Sequence, residues 1–343
     1  MSAVDPLFAT RITELYGIRL PVVASGLMWL SNADYVGAAA NAGIMGFITA
    51  ASFPAADDLR AEIRRCRALA GSHPFGVNIG IGHGEKDRKR IERDIGILGE
   101  EGVRFVETFG QNPEPYLKRM RDAGLIVTHK VPAVRFARKA QAVGVDAVIV
   151  VGGESGGHPG MDIVGTMVQA AVAARDLRLP LVVSGGMGVG AHIVAALALG
   201  ADGIGIGTRF LVAEEIWAHR NYKERLLQTD ETQTLLILQS LKKTRRALSN
   251  EKAHLVRRLE REHGPDIDVL FPHIAGKVGR AAYESGDFES AVLSCGQAVA
   301  FADRIEPLAA IVARLEAEAR LALGRLDRLR RGTAAMIPEG VTA

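Results

Sequence analysis

Short apolar runs recur along the chain, each followed by a polar or glycine-rich loop and then by apolar residues at helical spacing. Runs that are apolar at nearly every position, instead of alternating, are expected of parallel strands buried on both faces. Eight are read: Pro21 to Ala24, Gly46 to Thr49, Phe75 to Ile79, Val103 to Glu107, Leu125 to Thr128, Ala147 to Val151, Leu181 to Ser184 and Gly203 to Ile206. Helical patterns between them cover Ala33 to Ala42, Ala56 to Ala70, Lys86 to Glu101, Glu114 to Ala123, Ala133 to Ala142, Val164 to Arg175 and Ala191 to Leu199. This alternation, with no GxGxxG after the first strand, predicts an α/β fold of the closed (β/α)8 TIM barrel type over an open doubly wound sheet.

After the eighth strand the rhythm breaks. Residues 214–274 read as charged and helical without a strand, which predicts a helical insertion near the barrel mouth, with 1–213 and 275–343 forming the barrel and its C-terminal helices. A helix near Phe288 to Asp303 is expected as the delayed eighth barrel helix. Pro307 to Arg331 places Leu and Ala at helical spacing between Arg and Glu, so an amphipathic helix is expected that packs on the barrel or on a second copy in a homodimer.

Composition narrows the class. The 343 residues are 48% hydrophobic and 24% charged, which is ordinary for a globular chain. A formal charge of +3 is too weak a field to argue for nucleic acid. The basic clusters Arg64-Arg65, Lys86 to Arg93 and Lys242 to Arg246 lack interleaved aromatics and read as solvated helix faces. Cys66 and Cys295 are too few for a disulfide framework and read as free thiols. Met1 to Pro6 carries no signal-peptide pattern, and the longest apolar stretch, near Ile193 to Gly207, is broken by Asp202. A cytoplasmic protein that acts on a small molecule, not on a membrane, is expected.

Glycine supplies the candidate chemistry. The 38 glycines exceed the typical ~7% of a chain and concentrate in loops after strands. Residues 152–160 follow the sixth strand and set five glycines around His158. Such a loop lets backbone N–H groups approach a ligand, and its imidazole titrates near neutral pH. Taken alone, it is equally a flexible turn whose histidine caps a neighbouring strand. Gly185 and Gly186 follow the seventh strand, and Gly207 and Thr208 the eighth, where a TIM barrel commonly holds a phosphate. Asn78, at the end of the third strand, and His129-Lys130, after the fifth, suit the polar edges of a flat heteroaromatic ring.

Four blocks resemble the nitronate monooxygenase (2-nitropropane dioxygenase) family of FMN-dependent barrels: Pro21 to Trp29; Gly152 to Gly160; Ser184 to Gly186 with Ala195 to Gly203; and Gly207 to Leu211. The likeness spans almost the whole chain, and the Gly-Gly-His and Gly-Thr-Arg-Phe blocks are its specific parts. In layout it is most similar to the NADH:quinone reductase subgroup, through His129-Lys130 and Gln239 to Arg245. The resemblance implies FMN held by Ala24, Ser25 and Gly26 near the ring, Asn78 and Lys130 at its polar edges, Gly156 and Gly157 beside it, and Gly185, Gly186, Gly207 and Thr208 around the phosphate. Gln297 closes the site and His158 stands where the family has its catalytic base. Ala24, Leu27 and Val151 depart from the family pattern, and at Ala24 and Val151 polar contacts are removed. Oxidation of alkyl nitronates or nitroalkanes with O2 is the leading expectation, and NAD(P)H:quinone reduction, with NAD(P)H as co-substrate, is the alternative. A flavin-type enoyl-acyl-carrier-protein reductase and a non-redox barrel for a phosphorylated ligand rank lower.

Overall fold

In the computed structural model, which describes residues 7–332, eight parallel strands close a barrel in sequence order. They are β1 (Val22–Ala24), β2 (Met45–Thr49), β3 (Gly76–Ile81), β4 (Phe105–Gly110), β5 (Ile126–Val131), β6 (Ala147–Val151), β7 (Leu181–Ser184) and β8 (Gly203–Ile206). β8 pairs with β1 at Val22↔Ile204 and Ala24↔Ile206, which leaves no edge. The hexapeptide read above as lacking a signal pattern lies outside the described residues.

Side-chain alternation divides each strand between two cores. Val23, Met45, Phe47, Phe105, Ile149, Val151 and Val182 fill the lumen, whereas Val22, Ala24, Val77, Val106, Val148 and Val183 face the helices. The N-terminal end of the lumen is plugged by α1 (Arg11–Tyr16), which is capped by the Thr10 side chain. Tyr16 stands edge-on to Phe105 at 5.2 Å and shares a 2.5 Å hydrogen bond with Thr128 Oγ1. With that end shut, polar chemistry is confined to the other.

The outer ring runs through α2 (Ala33–Asn41), α3 (Ala56–Ala70), α4 (Glu85–Glu100), α5 (Glu114–Asp122), α6 (Val134–Val143), α7 (Thr166–Asp176) and α8 (Gly190–Ala198). The chain then leaves the barrel and forms α9 (Arg220–Leu227), a hairpin of β9 (Thr234–Ile237) and β10 (Arg245–Leu248), α10 (Glu251–His263), α11 (Ile267–Ile274) and α12 (Gly276–Ser285). It returns where Glu214 N–H donates to Glu306 O at 3.0 Å, and α13 (Leu308–Arg330) completes the ring by packing between α8 and α2.

Three expectations change here. The insertion contains a two-stranded antiparallel sheet: Leu235 and Ile237 are buried on a small core of their own with Leu238, Val256 and Leu270, a β-period signal too short to stand out among charges. The excursion closes at Glu306 and not at residue 274. Phe288 to Asp303 holds no barrel helix, only a short 3₁₀ turn at Gln297–Phe301, and α13 takes the eighth helix position. The buried stripe Leu308, Ile311, Val312, Leu315 and Ala319 is what seats α13 on the barrel. Both cysteines are free and buried. Among the described residues no helix is long and apolar enough to cross a membrane.

Candidate active site

The strand ends opposite α1 carry a graded set of polar side chains. Register places Asn78 beside Glu107 and Glu107 beside Thr128, with Phe109 and Lys130 paired one layer higher. Lys130 therefore lies within its strand, not after it, Asn78 lies short of the end of its own, and both point into the lumen through the same alternation that buries Phe105. Lys130 Nζ donates to Glu107 Oε1 at 2.8 Å and Asn78 Nδ2 to the same oxygen at 2.5 Å. Glu107 has no exposed surface, and its Oε2 has no partner. Lys130 also stands 5.6 Å from the ring centre of half-exposed Phe109. His129 faces the helices, its Nδ1 2.8 Å from Thr108 Oγ1, and burial pushes it down to about 4.

At the first strand the alternation also sorts the predicted residues. Ala24 is fully buried with its methyl in the barrel–helix layer, so only its backbone is available to a ligand. Ser25 is buried, and its Oγ has no partner. Gly26 passes so close that a Cβ there would sit 2.6 Å from Asn78 Cβ, which ties the first and third strand ends together.

The loop after β6 is clamped from outside the barrel. Gly157 and Arg246 exchange backbone hydrogen bonds, 3.0 Å for Gly157 N to Arg246 O and 2.7 Å for the return, so β10 pairs with the loop. The Arg246 guanidinium donates to Gly153 O through Nη2 at 2.8 Å and Nε at 3.1 Å, and to Thr234 Oγ1 at 3.1 Å. Arg245 donates to Ser294 Oγ and Val292 O, both at 3.2 Å. The basic stretch read as a solvated helix face is thus a strand whose arginines hold the site. Replacing Arg246 by alanine is expected to destabilise the protein by ~1.5–3 kcal/mol, since hydrogen bonds from a charged donor to a buried carbonyl are lost. Chemical denaturation measures this. Lysine at the same position recovers little, because an ammonium lacks the planar fork that reaches both acceptors.

His158, at the crown of that loop, is open to solvent inside the concave mouth. The protein around it, and then the positive charges of Arg245, Lys243 and Lys130, push its imidazole down to about 4. Water at the exposed ring edge softens both effects without changing their direction. Both leave the ring neutral at pH 7.

The loop after β7 is built from glycines in left-handed conformations, with φ of 101° at Gly185 and 73° at Gly186. Glu154 does not point free charge at them: its carboxylate accepts from Thr166 N at 3.0 Å and from Thr166 Oγ1 at 2.9 Å. Thr208 Oγ1 accepts from Gly296 N–H at 2.9 Å and keeps its own proton to donate. Gln297 sits on this side of the site, its N–H bonded to Glu154 O at 2.9 Å. It borders a cavity of about 520 Å³ with Gly185, Gly186 and His192, which lies beside the seventh loop and not over His158.

The structure gathers Ser25, Gly26, Asn78 and Lys130 at one side of the mouth, and Gly156, Gly157 and His158 on the clamped loop. Gly185, Gly186, Gly207, Thr208 and Gln297 form a third group. Glu107 and Arg246 were not foreseen. A glutamate inside a run ending Phe-Val-Glu was the signal for the first; the second had none beyond its charge.

The chain is 37% identical over 222 residues to the (3aS,4S,5R,7aS)-5-hydroxy-7a-methyl-1-oxo-octahydro-1H-indene-4-carboxyl-CoA dehydrogenase of Mycobacterium tuberculosis. That match covers 64% of this chain and spans 60% of the relative's length. Among solved structures, FabK from Thermotoga maritima superposes with a TM-score of 0.85 at 29% identity, over 94% of this chain and 99% of that one. Nitroalkane oxidase from Streptomyces ansochromogenes superposes with a TM-score of 0.75 at 27% identity, over 92% and 99%. The family model described as nitronate monooxygenase matches residues 9–318, from the plug helix into the closing helix, and so takes in every strand and loop of the site: the chain belongs to the nitronate monooxygenase family.

Proposed function

We propose that the protein is an FMN-dependent oxidoreductase that oxidises alkyl nitronates with O2. The observation that carries this reading is His158, exposed to solvent on the clamped loop, with the positive charges of Arg245, Lys243 and Lys130 near enough to act on it and favour its neutral form. An anionic substrate is drawn to such a collar, and the imidazole is free to accept a proton or a hydrogen bond from it.

The residues present suit FMN. Ser25 Oγ and Glu107 Oε2 are buried acceptors without partners, and Gly185, Gly186, Gly207 and Thr208 leave backbone and hydroxyl donors free for a phosphate. Lys130 and Asn78 would meet the polar edges of the ring, and Gly156 and Gly157 would flank it. Bound there, the flavin supplies the electron acceptor. The chain's own work is to attract the nitronate, orient it with His158, and exclude a side chain at Gly157, whose φ of 80° suits glycine alone.

NAD(P)H:quinone reduction is the second reading, favoured by Lys243 and Arg245 on the hairpin beside the mouth, where a nucleotide phosphate would find positive charge. One experiment separates the two. The FMN-loaded protein is mixed anaerobically with propionate nitronate and, separately, with NADH, and bleaching of the flavin band is followed. Bleaching by the nitronate supports the first reading; fast bleaching by NADH with none by nitronate replaces it with the second. A preparation that takes up no FMN sinks both.

A further inference from the structure

Glu107 is an unusual residue to find in this lumen. The lumen around it is largely apolar, filled by Phe105, Ile149 and Val182. A carboxylate there loses its hydration, and folding alone gives poor return for it, because a well-packed apolar pair serves stability as well or better than a buried ion pair. Yet Glu107 is fully buried, accepts from both Lys130 Nζ and Asn78 Nδ2 on one oxygen, and leaves the other oxygen without a partner. An unmet buried acceptor is costly unless a ligand supplies a donor.

The three side chains sit on adjacent strands, Asn78 level with Glu107 and Lys130 one layer higher, just below the strand ends where the ring of the cofactor is expected. Lys130 lies between a negative charge below and the open mouth above. Its ammonium is thereby oriented, and the charge it presents upward is partly cancelled.

We propose that Glu107 is a positioning residue that fixes the Lys130 ammonium and the Asn78 amide against the flavin and sets the net charge the ring meets, and so its reduction potential. This rests on the FMN reading above, but not on nitronate as the substrate. Charge next to a flavin ring tunes its potential in a known direction: positive charge favours the reduced form, which carries more negative charge, and negative charge opposes it.

The test compares midpoint potentials and FMN dissociation constants of the wild type, Glu107→Gln, Lys130→Met and the double variant. Glu107→Gln keeps the shape and removes the negative charge, so the midpoint is expected to rise. Lys130→Met removes the positive charge, so it is expected to fall. The double variant, with no charge stranded, is expected to return close to wild type. If Glu107→Gln loses FMN outright, the double variant is expected to regain it. Single variants that shift the potential in the same direction, or leave it unmoved, overturn the proposal, as does a double variant that stays unable to bind. A wild-type protein that binds no FMN overturns the cofactor reading instead, so the two failures are distinguishable.

Discussion

Replacing His158 by alanine is expected to slow turnover of a neutral nitroalkane by ~10²–10⁴-fold while slowing its preformed nitronate far less. Only the neutral substrate has an α-proton to lose, and the collar of Lys130, Lys243 and Arg245 that attracts the anion is intact in the variant. FMN should stay bound, since no atom of the imidazole is needed to cradle the phosphate. Steady-state rates on the two forms of one nitroalkane measure this. Equal slowing of both would assign His158 to holding the substrate and not to removing a proton.

The pH profile carries independent information about the same ring. An imidazole pushed down to about 4 stays in its basic form on acidification, so kcat/KM for the nitroalkane should hold level to about pH 5 and fall below it. The sign follows from the cost of the charged ring: burial strips its hydration and three cations add to that cost, which together delay protonation to lower pH. A limb near the ordinary histidine value would mean that water in the cleft cancels that repulsion. The depressed value has a further consequence. A weaker base abstracts a proton less readily, so the wild type should prefer nitronate to nitroalkane even before His158 is changed.

The barrel was legible because its strands are buried on both faces, and runs such as Ala147 to Val151 carry that signature without ambiguity. The glycine loops were legible because left-handed backbone at Gly157, Gly185 and Gly186 leaves a residue-specific mark. What escaped is structure fixed by partners far away in the chain. β9 and β10 are four residues each, and only the core they share with α10 and α11 makes them strands. Arg246 reads as one charge among four in a basic stretch until the fold brings Gly153 O to it. Asn78 and Lys130 were recognised as site residues but placed at strand ends, because β3 and β5 run two or three residues further than their apolar cores. Ala24 was placed near the ring by the family resemblance, yet its side chain alternates away from the lumen, and the unpartnered polar atom at that strand is Ser25 Oγ.

The second large effect is expected where two glycines cross. A Cβ at Gly156 would lie 2.7 Å from Gly296 N and 2.8 Å from Cys295 C, and one at Gly296 would lie 2.5 Å from Gly156 N. The atoms met are backbone on both sides, so no side chain can rotate away to make room. Gly156→Ala therefore forces the His158 loop apart from the segment that carries Thr208's partner Gly296 and the start of the Gln297 turn. Overpacking of this kind typically costs ~1–3 kcal/mol. The functional loss should exceed what that figure implies, because the displaced loop carries His158 on one side and its neighbour borders the phosphate loops on the other. Thermal unfolding and FMN dissociation, measured together, check both parts. Gly296→Ala should reproduce the defect, and the double variant should cost clearly less than the sum, since either methyl already opens the same crossing. Full additivity would mean that the two backbones give way independently, and that the loop is held by the Arg246 clamp alone.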